Sequence, residues 1–318
     1  MEGWLFTKTN EPLKLVKKED PVVKDGWVII DVKAAGLCHS DVAALEDPAW
    51  FPLIPAAPCY IGHECAGVIT EIGKGVKGFK VGDRVGVCPI DPATGKAIGY
   101  AYDGGYATKC LVPAGSLVHM PDVVTFVQGA AATDAGMTSY HALFVEGKAH
   151  KGMKVGIIGI GGLGQFAAQM AVIDGCKVYA CDKNPDARDL ALAIGCEKVY
   201  ENVLDMKADA PEVIVDYAGF GTTTADAIEA VGFKGTVVIV GMGANYANIN
   251  TMTMILKQVK VRGSNGGTPE DIAGVYKYFA TGKLKPQLTT IPFTEVDKGL
   301  EMLKAGKVKG RLVAEINK

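Results

Sequence analysis

The hydrophobic pattern changes period near residue 138. From Trp27 to about Val118, short apolar runs such as Trp27-Val28-Ile29-Ile30 and Gly67-Val68-Ile69 alternate with Gly, Pro and Asp, the punctuation that ends strands and sets turns. This region is expected to be antiparallel β structure. Further on, residues 154–159 read as a short apolar strand, 163–174 as a helical run closed by Gly175, and Lys177–Cys181 as a second strand, because a continuous apolar run gives way to helical spacing and back. That order is a βαβ unit. Strand candidates at 212–215, 236–240 and 259–262, with a helical stretch at 222–231, extend it into a parallel, doubly wound sheet. No internal repeat or low-complexity linker interrupts the chain.

Composition narrows the class. With 318 residues the chain is long for a single core, and two domains are expected. Apolar residues make up 48% and charged residues 21%, and the formal net charge is -2; this argues against a disordered chain and against a basic, phosphate-binding face. Nucleic acid is not expected as a partner. The start, Met1-Glu2-Gly3-Trp4, lacks a positive region followed by an apolar run, and no glycine-free uncharged stretch is long enough to span a bilayer. No membrane partner is expected, and a cytoplasmic location is. Eight cysteines (38, 59, 65, 88, 110, 176, 181, 196) are scattered without the dense spacing of a disulfide scaffold, so most read as small buried hydrophobes.

Between the first strand and helix of the βαβ unit stands Gly159-Ile160-Gly161-Gly162-Leu163-Gly164. In that context G-x-G-x-x-G carries a mechanism: a tight turn at the first glycine, backbone approach to a pyrophosphate at the second, and close helix–strand packing at the third, with the helix N-terminus facing the anion. Asp182 follows the second strand, 18 residues after Gly164, where a carboxylate can bond the adenosine ribose 2′-hydroxyl and repel a 2′-phosphate. NAD is therefore expected over NADP, with Lys183 beside Asp182 able to soften the preference.

Two segments of the first region gather metal-competent residues: Gly36-Leu37-Cys38-His39-Ser40-Asp41 and Gly62-His63-Glu64-Cys65-Ala66-Gly67. Thiolate and imidazole suit zinc, and a catalytic site uses three protein ligands with one position open. At these residues the chain resembles the zinc-dependent medium-chain alcohol dehydrogenases. Gly62-His63-Glu64, then Gly67, Gly73 and Val76, match that family's G-H-E-x2-G-x5-G-x2-V signature. The resemblance implies a chaperonin-10-like catalytic domain at 1–138 and 267–318, and a Rossmann-type cofactor domain at 139–266. It implies Cys38 and His63 as zinc ligands, Glu64 as an outer or alternate ligand, and Asp41 as the group that steadies the ligand histidine. The family's third ligand, commonly Cys, falls here on Asp134 in Thr133-Asp134-Ala135-Gly136-Met137-Thr138; an alternative role for Asp134 is to cap the following helix. Many relatives also carry a four-cysteine lobe for a structural zinc, but residues 87–105 contain only Cys88. One zinc per chain is expected, with a turn at 91–96 in place of the lobe.

By the same resemblance Ser40 takes the substrate proton, His39 and Arg311 face the cofactor pyrophosphate, and Thr138 stands near the nicotinamide. The histidine that ends the relay in many relatives is replaced by Ala43. His119, His141 and His150 read as structural or surface residues, and Trp50 and Phe51 as candidate walls of an apolar substrate pocket or as simple packing. The function implied is hydride transfer between an alcohol, or its aldehyde or ketone, and NAD(H). A homodimer or homotetramer formed through an edge strand at 236–240 or 259–262 is implied as well. Competing readings are a polyol dehydrogenase, a zinc-free quinone or enoyl reductase, and a non-catalytic NAD(H)-binding protein.

Overall fold

The structure, a computed structural model, describes residues 1–316. In chain order the strands are β1 Glu2–Phe6, β2 Lys14–Lys17, β3 Trp27–Leu37, β4 Cys59–Tyr60, β5 Glu64–Ile72, β6 Arg84–Val87, β7 Lys109–Pro113, β8 Leu117–His119, β9 Lys154–Ile158, β10 Lys177–Cys181, β11 Lys198–Tyr200, β12 Val213–Asp216, β13 Thr236–Ile239, β14 Lys260–Gly263, β15 Leu288–Pro292 and β16 Arg311–Glu315. The α-helices are α1 His39–Glu46, α2 Phe126–Ala131, α3 Met137–Tyr140, α4 Gly164–Ile173, α5 Pro185–Ile194, α6 Thr222–Ala230, α7 Thr251–Lys257, α8 Pro269–Ala280 and α9 Val296–Lys304.

The first compact unit comprises Met1–Asp134, Thr268–Ala280 and the chain from Gln287 onward. Its main sheet has the order β15-β16-β3-β5-β6-β8, with β7 also on β3. The long strand β3 makes this possible: its first half pairs with β7 and its second half with β16, both antiparallel. Against β5 the register shifts at Ile29/Ile30, inside the half that β7 pairs, and at Val32/Ala34, where the partner changes, and bulges of this kind bend a strand and raise its twist. Trp4, Phe6, Val28, Ile30, Ile69, Val85 and Leu312 are among the side chains of the enclosed core.

The second unit, Ala135–Gly267 with Thr281–Pro286, is a six-stranded parallel sheet ordered β11-β10-β9-β12-β13-β14, the doubly wound order of dinucleotide-binding folds. Central strand β12 is buried at every residue, which is why its sequence reads as a continuous apolar run rather than an alternation. Helix α5 was not expected from the pattern, although its signals are present: Asn184 accepts from Asp186 N, Pro185 fills the first turn, and Gly195 ends the helix at φ 106°.

Relative to the sequence division at 138/139 and 266/267, the units part after Asp134, and 281–286 joins the second. Contacts account for the detail: Lys285 N donates to Gln169 Oε1 at 2.7 Å, tying that segment to α4, whereas Tyr276 of α8 donates to Gly129 O at 3.1 Å within the first unit. The sheet also corrects one expectation. Residues 236–239 lie inside it between β12 and β14, so of the two edge candidates only β14 is an edge.

Candidate active site

Cys38 sits where β3 hands over to α1, and His63 immediately precedes β5. Asp134 lies in a π-helical turn, Ala132–Gly136, between α2 and α3, a local distortion often found at functional positions. One ligand atom from each of Cys38, His63 and Asp134 falls within 4.8 Å of the others. His63 Nε2 is 3.5 Å from Asp134 Oδ2. On the other side of the ring, Nδ1 faces Asp41 Oδ1 at 3.3 Å. Thiol, imidazole and carboxylate at this spacing form a donor set that suits zinc.

Asp41 is itself held from two directions. Its Oδ2 accepts from Cys38 N at 3.0 Å and from Tyr106 Oη at 2.5 Å. The Tyr106 ring packs on Gly62, where a Cβ would come within 2.5 Å of it, so the residue before the ligand histidine and the carboxylate behind it share one buttress. Burial alone would depress the pKa of His63, but the charges of Asp41 and Asp134 outweigh it and hold the imidazole well above its ordinary value. Burial likewise works to raise Asp134, while His63 and Arg311 together hold it well below the usual carboxylate range.

Glu64 is fully buried and turns to Arg311, whose Nε lies 2.9 Å from Oε2 and whose Nη2 bonds the same oxygen. The register explains how they meet. Gly36 pairs with Glu64 across β3 and β5, and a Cβ at Gly36 would stand 2.2 Å from the Glu64 carboxyl; the missing side chain leaves the space that the carboxyl occupies. Arg311 begins β16 on the other side of β3 and also donates to Asp134 Oδ2 at 2.6 Å. Glu64 is therefore engaged by a guanidinium, and it is Asp134 that joins Cys38 and His63 in the donor cluster.

In the second unit each glycine of the 159–164 turn has its own reason. Gly159 has φ +83°, and a Cβ at Gly164 would lie 1.8 Å from Gly159 O. At Gly161 a Cβ would meet nothing within 4 Å, so protein packing leaves room there for a ligand to approach the backbone, as a pyrophosphate requires. Asp182 Oδ2 accepts from Ile160 N and Oδ1 from Asn184 N, both at 2.8 Å, which fixes the carboxylate beside the turn. Gly162 and Leu163 are partly exposed, Lys183 is exposed, and Leu163 O accepts from Ser139 Oγ at 2.8 Å.

Residues 24–122 match the family profile described as an alcohol dehydrogenase GroES-like domain, and residues 162–281 match the zinc-binding dehydrogenase profile. An alcohol dehydrogenase of Geobacillus stearothermophilus is 32% identical, with 99% of each chain covered. The chain belongs to the zinc-dependent medium-chain alcohol dehydrogenase family. Solved structures agree: the alcohol dehydrogenase of the archaeon Aeropyrum pernix superimposes with TM-score 0.90 at 26% identity, covering 99% of this chain and 100% of that one. Acetophenone reductase from Geotrichum candidum, solved in complex with NAD, gives TM-score 0.90 at 29% identity, with 99% and 96% covered.

Within this family member, Ser40 Oγ lies 3.5 Å from Cys38 Sγ, next to the donor cluster. His39 is exposed; partial desolvation lowers its pKa, and the charge of Arg311 adds to the effect. Thr138 is buried in α3 of the second unit. His119 stacks on Phe79 at 4.4 Å, and Phe51, 43% exposed, faces Phe6 at 6.4 Å. Trp50 lines a pocket of about 370 Å³ together with Tyr100. In place of a cysteine lobe, residues 91–96 form a turn in which Asp91 N donates to Lys96 O at 2.9 Å and Thr94 Oγ1 to Asp91 Oδ2 at 2.6 Å. The seven cysteines other than Cys38 are buried, and burial pushes the thiols of Cys59, Cys65, Cys181 and Cys196 up to about 12. Sequence reasoning missed Tyr100 and Tyr106. Both stand on a strap that follows the 91–96 turn, and no spacing rule links them to His63.

Proposed function

We propose that this chain oxidises an alcohol, or reduces the matching aldehyde or ketone, with NAD(H) as partner and a single zinc ion held by Cys38, His63 and Asp134. The observation that carries this reading is the convergence of those three donors within 4.8 Å. A zinc ion there supplies acidity to a substrate hydroxyl and polarisation to a carbonyl, and the nicotinamide supplies the hydride chemistry. The chain's own residues do the rest. Ser40 Oγ, beside Cys38, receives the substrate proton. With Ala43 where relatives have an imidazole, Ser40 would have to pass that proton on without a histidine, to a bound cofactor's ribose and water or by another route. Asp41 fixes the ring of His63 through Nδ1, and Arg311 holds Glu64 off the metal.

For the cofactor, the open backbone at Gly161 and the neighbouring Gly162 and Leu163 cradle the pyrophosphate, and Asp182 favours the NAD ribose with Lys183 beside it. In the first unit, His39 and Arg311 are the basic residues that the resemblance assigns to a pyrophosphate. Arg311 would use Nη1, since its bonds to Glu64 and Asp134 run through Nε and Nη2. Thr138 is proposed near the nicotinamide. That residues 87–105 hold one cysteine and a hydrogen-bonded turn supports the absence of a structural zinc. Edge strand β14 is exposed at all four residues, and α7 exposes Met252, Ile255 and Leu256 nearby in sequence, which supports pairing of copies into a homodimer or homotetramer. No helix among the described residues is long and apolar enough to cross a membrane, and cysteines scattered without the spacing of a disulfide scaffold suit a reducing cytoplasm.

The test is elemental analysis together with a panel of alcohols and carbonyls offered with NAD(H) and NADP(H). One zinc per chain, NAD-linked turnover, loss of both in Cys38→Ala and retention of zinc in Asp134→Cys are expected. A zinc-free active protein, or Cys38→Ala with full turnover, would refute the reading; two zinc ions per chain would refute the single-metal part alone.

A further inference from the structure

The hydroxyl of Tyr100 is buried and has no hydrogen-bond partner. Its ring stacks on the imidazole of His63, with centroids 5.8 Å apart and planes 24° from parallel. The same ring tilts against Trp50 at 6.5 Å. Trp50 and Tyr100 line the same pocket of about 370 Å³, whose remaining walls include Pro52, Leu53 and Ala97. This combination differs from ordinary core packing, because a buried hydroxyl without a partner is costly and is rare unless something else supplies the bond.

The strap that carries Tyr100 is fixed rather than loose. Ala56 N donates to Tyr100 O at 3.1 Å and Tyr100 N to Ala97 O at 3.3 Å. Gly99, at φ +78°, lies so close to Gly62 that a Cβ would stand 2.8 Å from Gly62 O. Gly62 immediately precedes His63, so the aromatic ring and the ligand imidazole are set by one packed junction. A rigidly held polar atom beside a binding pocket is the usual way a mostly apolar site orients its ligand.

We infer that Tyr100 is a specificity-determining residue whose hydroxyl donates to a second oxygen of the substrate, on the carbon next to the one that reacts. The inference rests on the alcohol dehydrogenase reading above and names the substrate class within it: vicinal diols and α-hydroxy carbonyls with a small apolar body. Ser40, beside Cys38, is the proposed partner of the reacting oxygen, and Tyr100, stacked on His63, is left for a different atom. The walls of Trp50, Pro52 and Leu53 would take the hydrocarbon.

The experiment compares near-isosteric pairs on the zinc-loaded enzyme with NAD(H): butane-2,3-diol against 3-methylbutan-2-ol, and 3-hydroxybutan-2-one against 3-methylbutan-2-one. Tyr100→Phe is examined beside the natural protein because it keeps the stacked ring and removes only the hydroxyl. A single hydrogen bond predicts a preference in kcat/KM of about tenfold for the oxygen-bearing member of each pair, collapsing toward one in Tyr100→Phe. Ligand-induced shifts in melting temperature should follow the same order without turnover. Tyr100→Phe should itself melt no lower than the natural protein, since it loses no internal bond. No preference in the natural protein, or a preference that survives in Tyr100→Phe, overturns the inference while leaving the alcohol dehydrogenase reading intact. Failure of every pair to react or bind would instead sink that reading, and this inference with it. Should Tyr100→Phe not fold, the claim of an unpartnered hydroxyl is wrong, and the inference falls on that ground.

Discussion

Nη2 of Arg311 lies 2.6 Å from Oδ2 of Asp134 and bonds Glu64 with the same nitrogen, so one buried guanidinium balances two carboxylates. Its engagement with Glu64 leaves Asp134 facing Cys38 and His63. Replacing Arg311 by Met strands a fully buried Glu64, and breaking a buried pair from one side costs about 3–5 kcal/mol. The expected outcome is a large fall in the denaturant midpoint with unchanged m-value, and partial recovery when Glu64→Gln is added. A single substitution that leaves the midpoint in place would show that the pair contributes little.

The turn at 159–164 predicts two opposite phenotypes from one chemical change. Gly164→Ala places a methyl group 1.8 Å from Gly159 O and should destabilise the protein by about 1–3 kcal/mol through overpacking. Gly161→Ala meets no protein atom within 4 Å and should melt normally, yet weaken NADH binding measured by fluorescence titration. Equal effects of the two variants on stability would contradict this division of labour.

At the proposed metal site Tyr106 would act through Asp41, which its hydroxyl bonds. Tyr106→Phe keeps the ring on Gly62 but removes the 2.5 Å bond to Asp41 Oδ2, freeing the carboxylate that faces His63 Nδ1. Outer partners of metal ligands typically change affinity by about 10–100-fold, so zinc competition with a chelator should reveal a loss in that range. A variant that holds zinc as tightly as the natural protein would remove Tyr106 from the site.

The raised pKa of His63 in the metal-free protein gives zinc uptake a definite sign with pH. A protonated imidazole cannot ligate, and because Asp41 and Asp134 hold the ring well above its ordinary value of 6.5, protons compete for it at higher pH than they would for a free histidine. Apparent zinc affinity should therefore rise as pH increases from 6.5 through that raised value, and calorimetry in buffers of different ionisation enthalpy should show proton release. Stability of the metal-free protein runs the other way: the contribution of protonated His63 is complete below 6.5 and is lost as pH rises through the folded-state value. Flat zinc affinity across this window would refute the coupling.

Several features were legible along the chain because local chemistry determines them. Periodicity and glycine placement mark β9, α4 and β10, and their turn sits between a buried strand and a helix start whatever the remainder of the chain does. Cys38 and His63 are recognisable because each lies inside a short motif. Helix α5 is marked locally by Asn184, Pro185 and Gly195, although its apolar pattern alone does not announce it.

The remainder depends on residues far apart in sequence, whose meeting no local rule encodes. The pairing of Glu64 with Arg311 follows from β16 lying next to β3, where Gly36 leaves space for a carboxyl that Arg311, 247 positions beyond Glu64, can reach. Which of two strands is the sheet edge is likewise a matter of hydrogen-bond order, with β14 outside β13. Tyr100 stacks on His63 and Tyr106 packs on Gly62 and bonds Asp41 where Gly62, Gly99 and Gly104 let two backbone segments touch. The sequence alone therefore determined the elements and the chemical types of the candidate ligands, through propensity and short-range spacing. The tertiary structure decided which charges neutralise one another and which hydroxyl is left for a ligand, because burial and pairing are properties of the folded neighbourhood.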